Sequence, residues 1–263
     1  MTGSFAARLR AGEPTYMLGI RGARTTDVVR MARSTGHHAL MIDLEHSAMS
    51  VQTAVDLCSA AADLGLWAFV RPSERDYGTI GRVLDGGASG VVVPRVETAE
   101  EARSVARACR FAPRGQRSQV ASLPQLGMRP TPAAELNPQV DDATFVQVIV
   151  ETPLGVANAE QIAAQDGVDM LVLGANDFTA ELGEPGNYAH PAVRQAVVDL
   201  VAACRRHDKL VMVAGIGDRV VHRELAALGA APLVLTGMDT DLLYGALRAR
   251  VEALESSRAQ ALR

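Results

Sequence analysis

The sequence predicts an α/β protein built as a single-domain (β/α)8 TIM barrel. Short apolar runs alternate with amphipathic helical stretches along nearly the whole chain, eight times over. Successive runs lie mostly about 20–30 residues apart, the length of one strand–helix unit. No G-x-G-x-x-G opens a helix and no P-loop sequence is present, so the alternative, an open doubly wound sheet, lacks its usual signatures.

The elements follow in order. Residues 16–20 read as the first strand and 24–36 as its helix, with Gly36 as the C-terminal stop. Residues 39–44 form the second strand. Residues 51–64 form a helix with Val51, Ala54, Val55, Cys58 and Ala61 on one face. Strand 67–70 ends at Arg71-Pro72, and helix 77–84 stops before Gly86-Gly87. Strand 90–94 and helix 99–109 come next. The alternation then breaks: residues 111–144 are rich in Pro, Gln and Arg and weakly periodic, and read as a long active-site or interface loop. Strand 145–150, helix 154–165, strand 169–173 and a short helix 176–182 resume the pattern. A turn-rich connection, 183–190, leads to helix 191–206, strand 210–213, helix 220–228 and strand 232–235. The last helix, 240–254, carries Leu243, Leu247, Val251 and Leu254 on one face, and 256–263 read as a polar tail.

With 263 residues, 48% of them hydrophobic, the chain can bury one large core. A net charge of -4 and scattered arginines give no reason to expect nucleic acid or an anionic membrane surface. No apolar run reaches the ~18 residues of a membrane span. Residues 1–12 contain no apolar h-region, so no secretory signal is expected there. Cys58, Cys109 and Cys204 share no metal-ligand spacing and suit reduced thiols in the cytoplasm.

In a barrel, chemistry sits at the C-terminal ends of the strands. The polar residues there are Asp43, Glu45 and His46 on strand two, Arg71 on strand three, Glu151 on strand five and Asp177 just beyond strand six. The strand period of two puts Asp43 and Glu45 on one face. Charges at the end of an apolar strand need partners. Arg71 could pair with Glu45 or face a developing oxyanion. Glu151 and Asp177 are hard oxygen donors on adjacent strands and suit Mg2+ or Mn2+. Each could instead cap a helix start, and their matching positions favour the metal. Gly174-Ala175-Asn176-Asp177 opens a helix whose free N–H groups would receive a carboxylate. Metal and anion sites side by side suit a 2-oxo acid. Histidine titrates near neutral pH and can move a proton, which makes His46 the acid–base candidate. His37, His38, His190, His207 and His222 read as solvated. The only lysine, Lys209, precedes strand seven at the far face, which argues against a Schiff-base aldolase.

These residues resemble the HpcH/HpaI family of class II (metal-dependent) pyruvate aldolases. Asp43-Leu44-Glu45-His46 is similar to the family's acid–acid–His strand, and Val70-Arg71-Pro72 to its arginine strand. Leu84-Asp85-Gly86-Gly87-Ala88 with Val91-Val92-Val93-Pro94 looks like its L-D-x-G-A…P segment. Val150-Glu151-Thr152 and Gly174-Ala175-Asn176-Asp177-Phe178 look like its two metal segments. The resemblance implies reversible cleavage of a 4-hydroxy-2-oxo acid, through a metal-stabilised enolate, to an aldehyde plus pyruvate or a related 2-oxo acid such as hydroxypyruvate. It implies Glu151 and Asp177 as ligands of Mg2+, Mn2+ or Co2+, His46 as acid–base group and Arg71 at the enolate oxygen. The substrate carboxylate would lie at Gly174, Ala175, Asn176 and Asp177, with Asp43 and Glu45 in support. Asp85 would raise the basicity of the histidine. Because Asp85 ends a helix at the wrong end of its own barrel, it is expected to act across a subunit interface. A homo-hexamer, a trimer of dimers with the C-terminal helix exchanged, is implied as well. Two departures bear on substrate choice: Ile149 stands where many members have Gln, and Arg114-Gly115-Gln116-Arg117-Ser118-Gln119 replaces a more glycine-rich segment. The alternatives are another lyase or decarboxylase on the same metal–enolate site, citrate-lyase-like, or a non-catalytic oxo-acid-binding barrel. A phosphate-binding isomerase leans only on Gly237.

Overall fold

A computed structural model describes residues 4–73 and 76–261. Helix α1 (Phe5–Arg10) precedes β1 (Thr15–Ile20), α2 (Asp27–Ser34), β2 (Ala39–Asp43), α3 (Val51–Asp63), β3 (Trp67–Arg71), α4 (Tyr77–Asp85), β4 (Gly90–Val93) and α5 (Ala99–Ala108). Then follow α6 (Ala133–Ala143), β5 (Phe145–Val150), α7 (Pro153–Ala157), α8 (Ala159–Ala163), β6 (Met170–Gly174), α9 (Ala175–Glu181), α10 (Pro191–Arg206), β7 (Leu210–Ala214), α11 (Arg219–Ala226), β8 (Leu233–Met238) and α12 (Asp239–Ala261). All neighbouring strands pair in parallel, in the order β7-β6-β5-β4-β3-β2-β1-β8. Ala231 N–H donates to Val211 O at 2.7 Å just before β8, so the ring is nearly closed.

Strands of such a barrel are buried on both faces, which is why they read as continuous apolar runs. Leu18, Ile20, Leu40, Ile42, Val146 and Val148 face outward and pack under the helices. Met17, Met41, Phe69, Val92, Ile149, Val172 and Met212 fill the barrel. Its base is plugged by α1, which the sequence did not foreshadow: the Phe5 ring lies 4.7 Å from Phe69, 5.1 Å from Phe145 and 5.2 Å from Trp67. Gly90 opens β4 because a Cβ there would sit 1.8 Å from Phe145 O.

The eight strand–helix units are as the sequence predicts, with differences at particular places. Residues 111–144 contain α6 and a 3-10 turn, Pro124–Leu126. Pro138 lies inside α6 and hid its helical character. Phe111, Leu123, Leu136 and Val140 give this segment a small core of its own. Helix 154–165 is two short helices that meet at Asn158, whose amide donates to Glu97 O at 2.8 Å. β8 runs on through Thr236-Gly237, because a register shift beside Met17 and Leu18 lets pairing continue. Residues 256–261, expected as tail, continue α12, and the last two lie outside the described residues.

The histidines read as solvated are half-buried and bonded. His37 Nε2 lies 2.9 Å from Thr236 Oγ1, His38 Nδ1 accepts Tyr16 N–H at 3.2 Å, and His207 Nε2 lies 2.6 Å from Glu160. His190 caps α10, and His222 Nε2 is 3.0 Å from Val213 O. The three cysteines are buried and free, and burial pushes each thiol up to about 12. No helix among the described residues is long and apolar enough to cross a membrane.

One surface is left uncovered. Every residue from 241 to 258 in α12 is exposed, with Leu243, Tyr244, Leu247 and Leu254 each about 60% exposed or more. On the barrel flank beside β8, Tyr16 and Val220 are 45% and 53% exposed.

Candidate active site

Parallel strands deliver all their C-terminal ends to one mouth, and the inward-facing residue at each end points into it. Asp43 closes β2 and Arg71 closes β3, directly opposite one another in register. Arg71 Nε donates to Asp43 Oδ1 at 3.0 Å and Nη2 to Oδ2 at 2.7 Å, a bidentate fork. Its Nη1 reaches Glu45 Oε2 at 3.0 Å. Arg71 therefore bridges two carboxylates, and its main partner is Asp43 rather than the expected Glu45. Asp43 is fully buried, which alone would raise its proton affinity; the Arg71 hydrogen bonds and charge outweigh this and hold the carboxyl below its ordinary range. Asp43 Oδ1 also accepts the N–H groups of Glu45 at 3.0 Å and His46 at 3.1 Å, turning the chain sharply after β2. That turn leaves the His46 ring 55% exposed at the rim, 3.5 Å from Glu45 Oε2. Burial raises the Glu45 carboxyl, against the pull of Arg71.

Across the mouth, Glu151 follows β5. Its Oε1 accepts Arg95 N–H at 2.8 Å. Burial pushes its carboxyl up to about 7; Asp177 and Glu45 add to the rise, and the Arg95 N–H opposes it. Gly174 makes room for it, since a Cβ there would lie 2.6 Å from Glu151 Oε2. Asp177 stands exposed in the first turn of α9. Neither carboxylate is used as a helix cap: Thr152 Oγ1 caps α7 by accepting Gly155 N–H at 3.1 Å, and α9 starts at Gly174 with no side-chain cap. Asn176 Oδ1 accepts the Tyr188 hydroxyl. Gly215, at φ 84°, lets the chain after β7 pass close to Asn176, where a Cβ would lie 3.2 Å from its Cγ.

The donor chemistry fits a divalent cation. Two carboxylates lining one cavity are hard oxygen ligands, and burial, helped by the charges of Asp177 and Glu45, raises the Glu151 carboxyl to about 7, a cost that a bound cation would relieve. No group of three or more His, Cys, Asp or Glu that could hold a metal occurs among the described residues. Glu151 and Asp177 are the two residues that could hold such an ion, with water and substrate completing its shell.

Not every candidate arrives here. Asp85 ends α4 at the opposite, N-terminal face, where it accepts Arg117 Nη2 at 2.8 Å. Arg117 is buried over the Phe111 ring at 4.6 Å, and Gln119 is exposed in the same segment. Residues 111–144 run from α5 to β5, so both their ends lie at that face, and Gln125 reaches Leu84 O at 3.4 Å. They do not form a lid over their own chain's mouth. Ile149 lies buried one inward position below Glu151, and Gln147 one further down, with no partner for its side-chain amide among the described residues.

Three participants escaped the sequence reading. Arg21, just after β1, brings Nε to 3.4 Å from Asp43 Oδ2. The rule that singled out Arg71, a charge ending an apolar strand, applies to it equally. Gln147 sits mid-strand and Tyr188 in a turn-rich connection, where no local signal marks either. A cavity of about 1210 Å3 opens among Arg21, His46, Arg71, Glu151, Asn176 and Asp177 and descends to Gln147. It continues along the uncovered flank beside α11.

The chain and its fold have close counterparts. Residues 16–242 match the model of the HpcH/HpaI aldolase/citrate lyase family. The chain is 37% identical over 241 residues to a 4-hydroxy-4-methyl-2-oxoglutarate aldolase of Hapsidospora irregularis, covering 90% of this chain and 89% of that one. It is 33% identical to a hydroxypyruvate/pyruvate aldolase of Pseudomonas aeruginosa, covering 93% and 90%. The crystal structure of an HpcH/HpaI aldolase from Desulfitobacterium hafniense DCB-2 superposes with a TM-score of 0.89 at 25% identity, covering 96% of each chain. The chain belongs to the HpcH/HpaI aldolase/citrate lyase family.

Asp43→Asn tests the buried pair. Asp43 is held below its unfolded value, so its stabilisation is present above about pH 4 and lost as pH falls through the folded value. The variant should be about 3 kcal/mol less stable than wild type in urea unfolding at pH 7. That gap should close as pH falls below about 4. An equal gap at pH 7 and pH 3 contradicts this.

Proposed function

We propose that this chain is a metal-dependent aldolase, a carbon–carbon lyase that cleaves a 4-hydroxy-2-oxo acid to an aldehyde and pyruvate or hydroxypyruvate. The observation that carries the reading is the meeting of Glu151 and Asp177, neither of them used as a helix cap, at a mouth that also holds Arg71 and His46. The relatives named above, aldolases of 4-hydroxy-2-oxo acids and of hydroxypyruvate and pyruvate, support it.

A divalent ion held by Glu151 and Asp177, whether Mg2+, Mn2+ or Co2+, would supply Lewis-acid polarisation of the 2-oxo group. The backbone N–H groups at the start of α9 receive the substrate carboxylate beside Asn176. Arg71, locked in direction by Asp43 and Glu45, faces the charge that develops on the 2-oxo oxygen. His46, exposed at the rim, takes the proton of the 4-hydroxyl. The C3–C4 bond then breaks: C4 leaves as the aldehyde carbonyl, and C3 keeps the electron pair until it is protonated. Asp43 has no proton to offer, since it is buried and ionised; it holds Arg71 and the His46 turn in place.

The same reading assigns a quaternary role. α12 exchanges between two copies, laying its exposed leucine stripe on the partner, within a hexamer built as a trimer of dimers. Asp85 then reaches the histidine of a neighbouring mouth. The apolar stripe of α12 and the open flank around Tyr16 and Val220 support the exchange.

Metal-free protein incubated with pyruvate or hydroxypyruvate and a panel of aldehydes should form C–C bonds only after Mg2+, Mn2+ or Co2+ is added. Glu151→Ala and Asp177→Ala should each lose this activity. No metal-dependent product in any pairing rejects the function. For the assembly, Leu247→Asp should lower the mass seen by light scattering and reduce activity in parallel. Fully active monomers would remove both the exchange and the cross-subunit role of Asp85.

A further inference from the structure

Tyr188 lies in the connection between α9 and α10, and three hydrogen bonds tie that connection back onto α9. Glu184 N–H donates to Thr179 O at 3.0 Å, Gly186 N–H to Thr179 Oγ1 at 3.0 Å, and the Tyr188 hydroxyl to Asn176 Oδ1. Thr179 is fully buried, and its own hydroxyl donates to Asn176 O at 2.9 Å. Within the connection, Tyr188 N–H donates to Gly186 O at 3.0 Å and His190 N–H to Asn187 O at 3.1 Å. Two residues beyond Tyr188, His190 caps α10. Tyr188 is thus half-buried on a stretch held at both ends.

Those ties converge on one side-chain amide. Asn176 is exposed and lines the cavity together with Glu151, Asp177 and Tyr188. An amide has an accepting end and a donating end, and rotation of its last bond exchanges them. Here Tyr188 occupies the accepting end, and Nδ2 donates no hydrogen bond among the described residues. The chain after β7 closes another side of the amide: a Cβ on Gly215 would lie 3.2 Å from both its Cγ and its Nδ2. A carboxylate beside Asn176 can only accept, whereas a phenol donates or accepts. Only the arrangement seen, with Tyr188 on Oδ1 and Nδ2 left open, lets both partners bond at once. Each of those bonds polarises the amide in favour of the other.

We propose that Tyr188 is a positioning residue for the 2-oxo acid: its hydroxyl holds the Asn176 amide with Nδ2 presented to the substrate carboxylate, which Tyr188 itself does not touch. This rests on the aldolase reading above, which places that carboxylate beside Asn176. The carboxylate keeps its charge throughout the cleavage, so the contact is worth the same in the bound substrate and in the transition state. Its loss falls on KM rather than on kcat.

Tyr188→Phe removes one oxygen and keeps the ring. Calorimetry on the Mn2+-loaded protein compares pyruvate with pyruvamide, which carries a neutral amide in place of the carboxylate. Turnover of a 4-hydroxy-2-oxo acid gives KM and kcat. Tyr188→Phe should weaken pyruvate binding and raise KM about threefold to tenfold, the net worth of one hydrogen bond, with kcat falling less than about twofold. Pyruvamide, which can meet either end of the Asn176 amide, should change less than about twofold. On an Asn176→Ala background, Tyr188→Phe should cost less than about 1.5-fold further, because the group it positions is gone. Additive losses, which would mean that Tyr188 only packs the connection, overturn the proposal. Equal losses on pyruvate and pyruvamide, a loss confined to kcat, no loss at all, or no pyruvate binding by wild type overturn it too. A pyruvate-selective, Asn176-dependent loss in protein that turns over no 4-hydroxy-2-oxo acid would uphold Tyr188 and reject the aldolase reading.

Discussion

Asp43 is a carboxylate taken wholly out of water at the end of an apolar strand, and the mouth is arranged around keeping it ionised. A buried charge of this kind is tolerated only when its lone pairs are filled with good geometry. Arg71 fills two, and the N–H groups of Glu45 and His46 share a third. Meeting that need orients everything else on this side. Arg71 loses its rotational freedom, Glu45 is drawn to its third nitrogen, and the chain turns so that His46 emerges at the rim. One buried acid thereby positions a permanent cation and the side chain to which the proposed reaction assigns the proton.

The opposite side obeys the reverse logic. Glu151 is also buried, and among the described residues no arginine forks onto it; burial raises its carboxyl, and the charges of Asp177 and Glu45 add to the rise. The two halves of the mouth differ in a physical sense: a guanidinium forks onto the carboxylate of the β2–β3 side, whereas among the described residues Glu151 on the β5–β6 side accepts only the backbone N–H of Arg95. Gly174 preserves the gap, because any side chain there would displace Glu151. An enzyme that needs a Lewis acid at one end of a substrate and a fixed cation at its oxygen gains from this asymmetry.

Much of this was legible in the sequence, for reasons tied to particular residues. Strands buried on both faces give unbroken apolar runs, so all eight stood out, and the charged residues ending them marked the mouth. Asp43 and Glu45 share a face by the period of two, but which one forks onto Arg71 depends on register, and register places Asp43 opposite it. Arg21 carries the same signal as Arg71, a charge directly after an apolar strand. Gln147 is one amide within a run of Val and Ile, where apolar neighbours mask it. α6 was hidden by its internal proline, and α1 by being short and polar on one side. The stripe of α12 was plain as a helix face; that it would face away from its own barrel depends on contacts no local pattern encodes.

The decisive quantity is the competition between a proton and a metal ion at Glu151. In metal-free protein its carboxyl is raised to about 7, so a bound ion must displace that proton. Titration of Mn2+ into metal-free protein from pH 6 to pH 8, in buffers of different ionisation enthalpy, reads affinity and proton release together. Affinity should strengthen steeply with pH below about 7 and level off above it, with protons released near the midpoint. Binding that is independent of pH and releases no proton would contradict a metal centre at Glu151.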